Sequence, residues 1–267
     1  MKECVDMIKE LKYEYYELVD STNERIKERA RAGEEEGLVI SAQYQTAGRG
    51  RIGRKWESEK NKCIATSMLL YQNNMPPNIV PSITILCGLA VRKTIEKLYD
   101  LSCQIKWPND IIINGKKLSG ILVEYEKPNN GVAFLTLGIG INVDQERFPG
   151  ELENKATSIR LELDKNEEKY KYVEEYKNEE IIKEIWESFL YYFKEFIKTY
   201  NLSFIKDEYE KHLVNKGKTV RVESDKKCYE AVALGISDYG GLIVNVEGVE
   251  KEIRNYEVSV RGIYGYV

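Results

Sequence analysis

One histidine, His212, stands in a chain of 267 residues. That scarcity removes whole classes of chemistry, because paired-histidine zinc motifs, histidine-rich metal sites and kinase His-Arg-Asp loops cannot be written with it. A Ser-His-Asp triad would have to recruit His212 from Glu208-Tyr209-Glu210-Lys211-His212, which reads as a solvated helix face. Cysteine is sparse too: Cys4, Cys63, Cys87, Cys103 and Cys228 are an odd number with no Cys-x-x-Cys pair. Neither a disulfide framework nor a zinc ribbon is indicated, and reduced, mostly buried thiols are expected. No apolar run approaches the roughly 20 residues that span a bilayer. The start, Met1-Lys2-Glu3-Cys4-Val5-Asp6, carries acids where a secretory segment would be apolar. A cytoplasmic location without membrane contact is expected. Positive charge is also not in excess, since 40 Lys and Arg against 44 Asp and Glu leave a net charge of −4. General nucleic-acid coating needs the opposite balance, so no DNA partner is expected and any basic site must be local.

What is present suits a folded globular chain, with 42% hydrophobic and 31% charged residues. The length fits one large domain and one small one. Residues 13–19 read as a strand, and Ser21 to Ala32 as a helix closed by Gly33, with Ser21 and Glu24 at capping-box spacing. Leu38 to Tyr44 and Cys63 to Tyr71 read as strands on either side of a glycine- and arginine-rich loop. Ser82 to Tyr99 carries a helical stripe of Ile83, Leu86, Leu89, Ala90, Ile95 and Leu98. Residues 104–143 read as an antiparallel meander, with strands at 104–107, 110–113, 120–125 and 132–143 and an Asn114-Gly115 hairpin signal. From Glu151 to about Leu213 the chain is charged and helical, and Ile181 to Ile197 present a wide apolar face that reads as core or subunit contact rather than a cofactor box. After Lys216-Gly217-Lys218, short strands at 219–223, 229–236, 242–246 and 258–261 suggest a small barrel.

The loop Gly48-Arg49-Gly50-Arg51-Ile52-Gly53 formally matches G-x-G-x-x-G. A Rossmann fingerprint would open a helix at the third glycine, but polar Arg54-Lys55-Trp56-Glu57 follows and the next element is a strand. The kinase companion motifs and the Walker lysine are missing as well. What remains is open backbone N–H groups interleaved with Arg49, Arg51, Arg54 and Lys55, whose planar forks suit phosphate or carboxylate. An anion clamp is the reading that fits; solvated surface charge and a nucleic-acid contact are the alternatives. A second cluster, Lys106-Trp107-Pro108-Asn109-Asp110 and Lys116-Lys117-Leu118-Ser119-Gly120, flanks the Asn-Gly turn, so Asp110 and Lys117 should share one region of sheet. Asp110 could hold Mg²⁺ or a ligand hydroxyl and Lys117 a carboxylate or phosphate; a turn-capping aspartate beside a surface lysine is the plain alternative.

These segments recur together. Ser21-Thr22-Asn23, Gln45-Thr46-Ala47 running through the loop to Trp56, Lys106 to Asp110, Lys117 to Glu124 and Gly138-Ile139-Gly140-Ile141-Asn142-Val143 stand in an order that resembles the biotin–protein ligases. The resemblance implies an α+β fold with a mixed, largely antiparallel central sheet and helices, of the class II aminoacyl-tRNA synthetase and biotin synthetase type. A catalytic domain over 1–215 and an SH3-like barrel over 216–267 would follow. It implies a two-step ligation with biotin, ATP and Mg²⁺ through biotinyl-5′-AMP, the acceptor being a lysine on the carboxyl carrier domain of a biotin-dependent carboxylase.

By the same resemblance, Ser21, Thr22, Asn23 and Gln45 hydrogen-bond the biotin head group, with capping a competing role for Ser21. Arg49, Gly50 and Arg51 cover the carboxylate and α-phosphate, and Lys117 is the leading catalytic candidate with Arg51 beside it. Arg54, Trp56, Asn109, Asn142, Glu257 and Arg261 fall to the nucleotide and Asp110 to the metal, with core packing an equal reading for Trp56. Some relatives carry an N-terminal winged helix and repress transcription. Here the first strand begins at Tyr13, so a form without that domain or repressor role is expected, as monomer or homodimer. The charged stretch 164–180 is not explained by these motifs. A lipoate–protein ligase-like acyltransferase and a nonenzymatic RNA-binding module are the competing functions.

Overall fold

The computed structural model describes residues 8, 10–71, 75–76, 78–129, 131–165, 178–223, 228–254 and 259–262. The first half builds one sheet from β1 (Lys12–Tyr16), β2 (Leu38–Ala42), β3 (Cys63–Tyr71), β4 (Gln104–Lys106), β5 (Asp110–Ile113), β6 (Lys116–Glu126) and β7 (Phe134–Asn142). Their spatial order is β1-β2-β3-β7-β6-β5-β4, and only the β1–β2 pair is parallel. The sheet is therefore mixed, as the sequence led one to expect.

Helices cover both faces, which is why β2 and β3 are buried almost without interruption. Alternation still decides the partner: Leu38 and Ile40 join Ile26 and Ala30 of α1 (Thr22–Arg31), while Val39 faces the larger core with α2 (Val80–Tyr99). Against α2 packs α4 (Asn178–Phe196), burying Ile181, Ile185, Trp186, Phe189, Phe193 and Phe196. Its apolar face is core, and the Trp186 indole donates to Thr66 Oγ1 of β3 at 3.0 Å, so even the one polar atom of the ring is satisfied. Among the described residues no helix is long and apolar enough to cross a membrane.

Several expectations shift. β1 stops at Tyr16, and Val19 makes only an isolated bridge to Gln45. The capping box does not form: Ser21 has cap geometry but its side chain accepts no helix N–H, and its own N–H donates to Asp20 Oδ1 at 2.6 Å while Glu24 turns to Lys27 and Arg49. The Asn114-Gly115 turn forms with both residues at positive φ, 49° and 76°, and β6 starts at once at Lys116, several residues before the expected return. Between sheet and α4 lie a short 3₁₀ turn at Gly150–Leu152 and α3 (Ile159–Asp164), followed later by α5 (Lys206–His212).

A second antiparallel sheet follows from β8 (Thr219–Glu223), β9 (Cys228–Ile236), β10 (Leu242–Val246), β11 (Val249–Ile253) and β12 (Ser259–Gly262), ordered β11-β10-β9-β8-β12. The strand missed in the sequence is β11, Val-Glu-Lys-Glu-Ile: four of its five residues are exposed, so no alternation marks it. This sheet is tied to the rest of the protein through the β9–β10 turn and the end of β9. Trp107 Nε1 donates to Gly240 O at 3.0 Å, Ser82 Oγ to Tyr239 O at 3.1 Å, and Ile236 N to Glu210 Oε1 at 3.0 Å.

Candidate active site

A cleft of about 490 Å³ opens where the N-terminus of α1, the 43–62 connection, the β4–β5 turn and the centre of β6 and β7 converge. Thirteen of the residues singled out in the sequence line it together: Ser21, Thr22, Asn23, Gln45, Arg49, Gly50, Arg51, Arg54, Trp56, Asn109, Asp110, Lys117 and Asn142. Glu257 lies outside the described residues. Arg261 is placed by its backbone in β12 opposite Arg221, next to Val260, which does line the cleft. His212 sits in α5 and is not part of the lining, and burial together with Arg92 lowers its pKa. Of the cysteines, Cys63, Cys87 and Cys103 are buried, Cys228 is exposed, and Cys4 lies outside the described residues. Burial pushes the Cys63 thiol up to about 12, so it is inert as a nucleophile.

One end of the cleft is a neutral hydrogen-bonding pocket. Gln45 Oε1 accepts from Thr22 N at 2.8 Å and Thr22 Oγ1 at 3.1 Å, which turns its amide nitrogen away from Thr22, beside Gly48. Asn23 presses so closely on β7 that a Cβ at position 138 would overlap its carboxamide oxygen, and Gly138 supplies the room.

The other end is cationic. The Gly/Arg loop folds back on itself as a short finger: Arg49 bridges Lys55, Gly50 N donates to Arg54 O at 2.7 Å, and Trp56 N to Gly48 O at 3.0 Å. Ile52 and Gly53 at its tip take positive φ. The finger divides its arginines. Arg49 is half exposed and pairs with Glu24, whereas Arg51 turns inward and donates to Asn109 Oδ1 at 3.1 Å. Burial lowers the Arg51 pKa, opposed by the charge of Asp110, so an anion brought to this guanidinium relieves a desolvation cost.

Opposite the finger, Lys117 Nζ lies 2.5 Å from Asp110 Oδ1 and 5.6 Å from the centre of the Trp56 ring. The Trp56 ring lies flat on β7, where a Cβ at Gly140 would be 2.6 Å from Cε2. It is therefore a wall of the cleft rather than a core residue, and its indole nitrogen finds no acceptor among the described residues. Asn142 is 4% exposed and donates to Thr157 O at 2.9 Å, while Lys117 N donates to Lys155 O and Thr157 N to Lys117 O. These bonds draw residues 155–157 against β6.

That segment also supplies what sequence reasoning missed. Phe148, Leu152 and Ala156 close the cleft with an apolar wall. They stand singly among charged residues with no strand or helix period, so only the Phe148-Pro149-Gly150 break hinted at them. Among the described residues no group of three acidic, histidine or cysteine side chains could cage a metal, and Asp110 is one carboxylate beside a lysine and an arginine. One carboxylate completed by substrate phosphates is an ordinary donor set for Mg²⁺, so the chemistry fits a metal that arrives with its nucleotide.

Residues 15–142 match the model of the Biotin/lipoate A/B protein ligase family. The bifunctional ligase/repressor BirA of Bacillus subtilis is 33% identical over 240 residues, covering 89% of this chain and 70% of that protein. The biotin–[acetyl-CoA-carboxylase] ligase of Mycobacterium tuberculosis is 36% identical over 143 residues, or 52% of this chain and 51% of that one. Among solved structures, the biotin protein ligase of Aquifex aeolicus in complex with biotin and ATP superposes with a TM-score of 0.79 at 29% identity, over 94% of this chain and 98% of that one.

Proposed function

This chain belongs to the biotin/lipoate A/B protein ligase family, and from that premise we propose that its cleft activates biotin with ATP and passes it to a lysine of a carrier domain. The carrying observation is the polarity of one continuous cleft. Its neutral end, with Thr22 and Gln45, suits a flat cyclic urea; its cationic end, with Arg51 and Lys117, suits a carboxylate meeting a phosphate. A lipoyl head is a dithiolane with no urea to satisfy those polar groups, so the related lipoate reaction fits less well.

In the first step a carboxylate oxygen of biotin bonds to the α-phosphorus of ATP, and the bond to the bridging oxygen of the leaving pyrophosphate breaks. Lys117 stabilises the charge on the carboxylate and phosphate oxygens, and Arg51 covers the same atoms from the finger. Asp110 orients Lys117 and is the residue that would hold Mg²⁺ with the phosphates, a cation whose charge offsets that of the triphosphate. Trp56, Phe148 and Leu152 offer an apolar slot for the base, with Asn109 and Asn142 holding its frame. In the second step the acceptor lysine amine attacks the biotinyl carbonyl, an amide forms, and AMP leaves with the bonding electrons while the amine loses its proton. No histidine is required, because alignment and charge stabilisation carry both steps.

The acceptor in this reading is the carboxyl carrier domain of a biotin-dependent carboxylase. Residues 1–215 act as the catalytic domain and 216–267 as an SH3-like barrel, a division supported by the change of sheet at β8. The test is incubation with biotin, α-labelled ATP and Mg²⁺, with lipoate in a parallel reaction. Biotin-dependent labelled adenylate and pyrophosphate are expected; adenylate formed with lipoate alone would overturn the assignment.

A further inference from the structure

Behind the neutral end of the cleft, side chains from α1, β3 and β6 are joined in a chain of hydrogen bonds whose direction can be worked out atom by atom. It starts at Glu124, on β6. Glu124 Oε1 pairs with Lys27 Nζ at 2.9 Å, and Lys27, almost fully buried, also reaches Glu24 Oε1 at 3.1 Å. Glu124 Oε2 accepts from Asn23 Nδ2 at 2.8 Å, and the same nitrogen faces Leu122 O at 3.3 Å. A carboxylate beside a lysine and a peptide carbonyl can only accept. The amide nitrogen of Asn23 is thereby held toward β6, and its oxygen toward β3.

There Ser67 Oγ, fully buried, stands 2.6 Å from Asn23 Oδ1 and 2.7 Å from Thr22 Oγ1. A serine has one proton to give, and an amide oxygen cannot return it. Ser67 must therefore donate to Asn23, and its oxygen is left to accept from Thr22. The single proton of Thr22 lies between two acceptors, Ser67 Oγ and Gln45 Oε1, both on the protein side. Thr22 Oγ1 consequently turns lone pairs, not a proton, toward the cleft. Gln45, which lines the cleft, has its oxygen held by Thr22 N and its N–H₂ on the far side, beside Gly48. The pocket thus shows one acceptor beside one donor, the complement of an N–H and C=O of a cyclic urea.

We propose that Glu124 is a positioning and specificity-determining residue that sets the direction of this relay, Asn23 to Ser67 to Thr22, and through it the pattern read by the head group. Glu124 does not line the cleft and, apart from a 3.8 Å approach of its Oε1 to Arg49 Nη1, acts by fixing which way Asn23 faces. The proposal rests on the biotin reading of the cleft. Loss of the carboxylate leaves Asn23 Nδ2 with Leu122 O at 3.3 Å and frees the amide to turn; Ser67 can then give its proton to Thr22, whose own proton goes to Gln45 Oε1, and one of the lone pairs that Thr22 offers a ligand N–H is taken up by Ser67. Ser67 carries the signal across the middle, so removing it and removing Glu124 interrupt one path.

The test measures biotin binding by calorimetry on the full chain, with binding of the non-hydrolysable nucleotide AMPPNP and a thermal melt on every variant. Glu124→Leu should weaken biotin by about tenfold or more, as expected for a misdirected buried hydrogen bond, with nucleotide affinity within about twofold of wild type. Ser67→Ala should cost biotin a similar factor. The double variant should be within about twofold of Glu124→Leu alone, because the two residues serve one path. Glu124→Gln keeps the shape but has one oxygen, which the buried Lys27 ammonium claims, so its N–H₂ faces Asn23 and turns that amide; it should weaken biotin about as much as Glu124→Leu. Unchanged biotin binding in Glu124→Leu, losses that multiply in the double variant, or biotin binding in Glu124→Gln within about threefold of wild type would each overturn the proposal. Wild-type protein that binds AMPPNP but not biotin would instead bring down the biotin reading on which it rests.

Discussion

Asp110 and Lys117 are seven positions apart in sequence but ion-paired at 2.5 Å, because the Asn114-Gly115 turn brings β5 against β6 and a register shift after Ile111 sets Asp110 opposite Gly120. Both side chains are partly shielded, at 14% and 25% exposure, so the pair keeps Lys117 aimed without removing it from an incoming anion. Gly120 matters to this aim, since a Cβ there would stand 3.0 Å from Lys117 Cε and Nζ.

If Lys117 stabilises charge that develops during adenylation, Lys117→Ala should slow formation of biotinyl-AMP by about 100-fold or more, a loss of roughly 2.7 kcal/mol of transition-state stabilisation. Nucleotide affinity should change by less than about threefold. Single-turnover kinetics with labelled ATP separate the two, and an adenylation rate equal to wild type would remove Lys117 from the chemistry.

Arg51 is the arginine that the finger turns inward, and it lies over the cleft with Asn109 as its support. Replacing it by glycine should leave adenylation measurable while the finished adenylate escapes before transfer. Filtration of the reaction mixture quantifies free biotinyl-AMP; retention equal to wild type would argue against a covering role.

Gly140 is a spacer for an indole. In Gly140→Ala the new methyl would meet Trp56 Cε2 at 2.6 Å, so the ring must lift from β7 into the cleft. We expect the KM for ATP to rise by about tenfold with little change in biotin affinity, together with altered tryptophan fluorescence, because a displaced wall narrows the base slot. An unshifted emission spectrum and unchanged KM would place Trp56 elsewhere in solution.

Glu36 offers a test of stability. Its carboxylate accepts from Tyr71 N at 2.7 Å, and burial raises its pKa to about 7 from an ordinary 4.5. Between those values the folded protein holds a proton that the unfolded chain has released, so this group's contribution falls as pH rises from about 4.5 to 7 and is level beyond it. Glu36→Gln keeps an acceptor for Tyr71 and removes the charge. Its Tm should exceed that of wild type by a few degrees at pH 8 and match it near pH 4.5. An equal difference at both pH values would show that charge burial is not the cause.

Local chemistry made part of this protein legible at once. Asn114-Gly115 can scarcely do other than turn, the apolar runs at Cys63 to Tyr71 and Ile181 to Ile197 must be covered, and a basic glycine loop between two strands has few uses besides holding anions. What no local pattern could decide is which neighbour each side chain would meet. Two arginines in one loop are alike in sequence, yet Glu24 holds Arg49 at the rim while Asn109 receives Arg51 within. The segment 138–142 reads as strand and is one, but the reason for its glycines, the side chains of Asn23 and Trp56 resting on them, comes from α1 and the finger. The Ser21 capping box does not form, and β11 hid because its exposed face needs no pattern. Sequence period and turn chemistry act over a few residues, so they determined the elements; the cleft is made by contacts between residues as far apart as Thr22 and Ser67, or Asn23 and Glu124, and only packing the elements together could settle it.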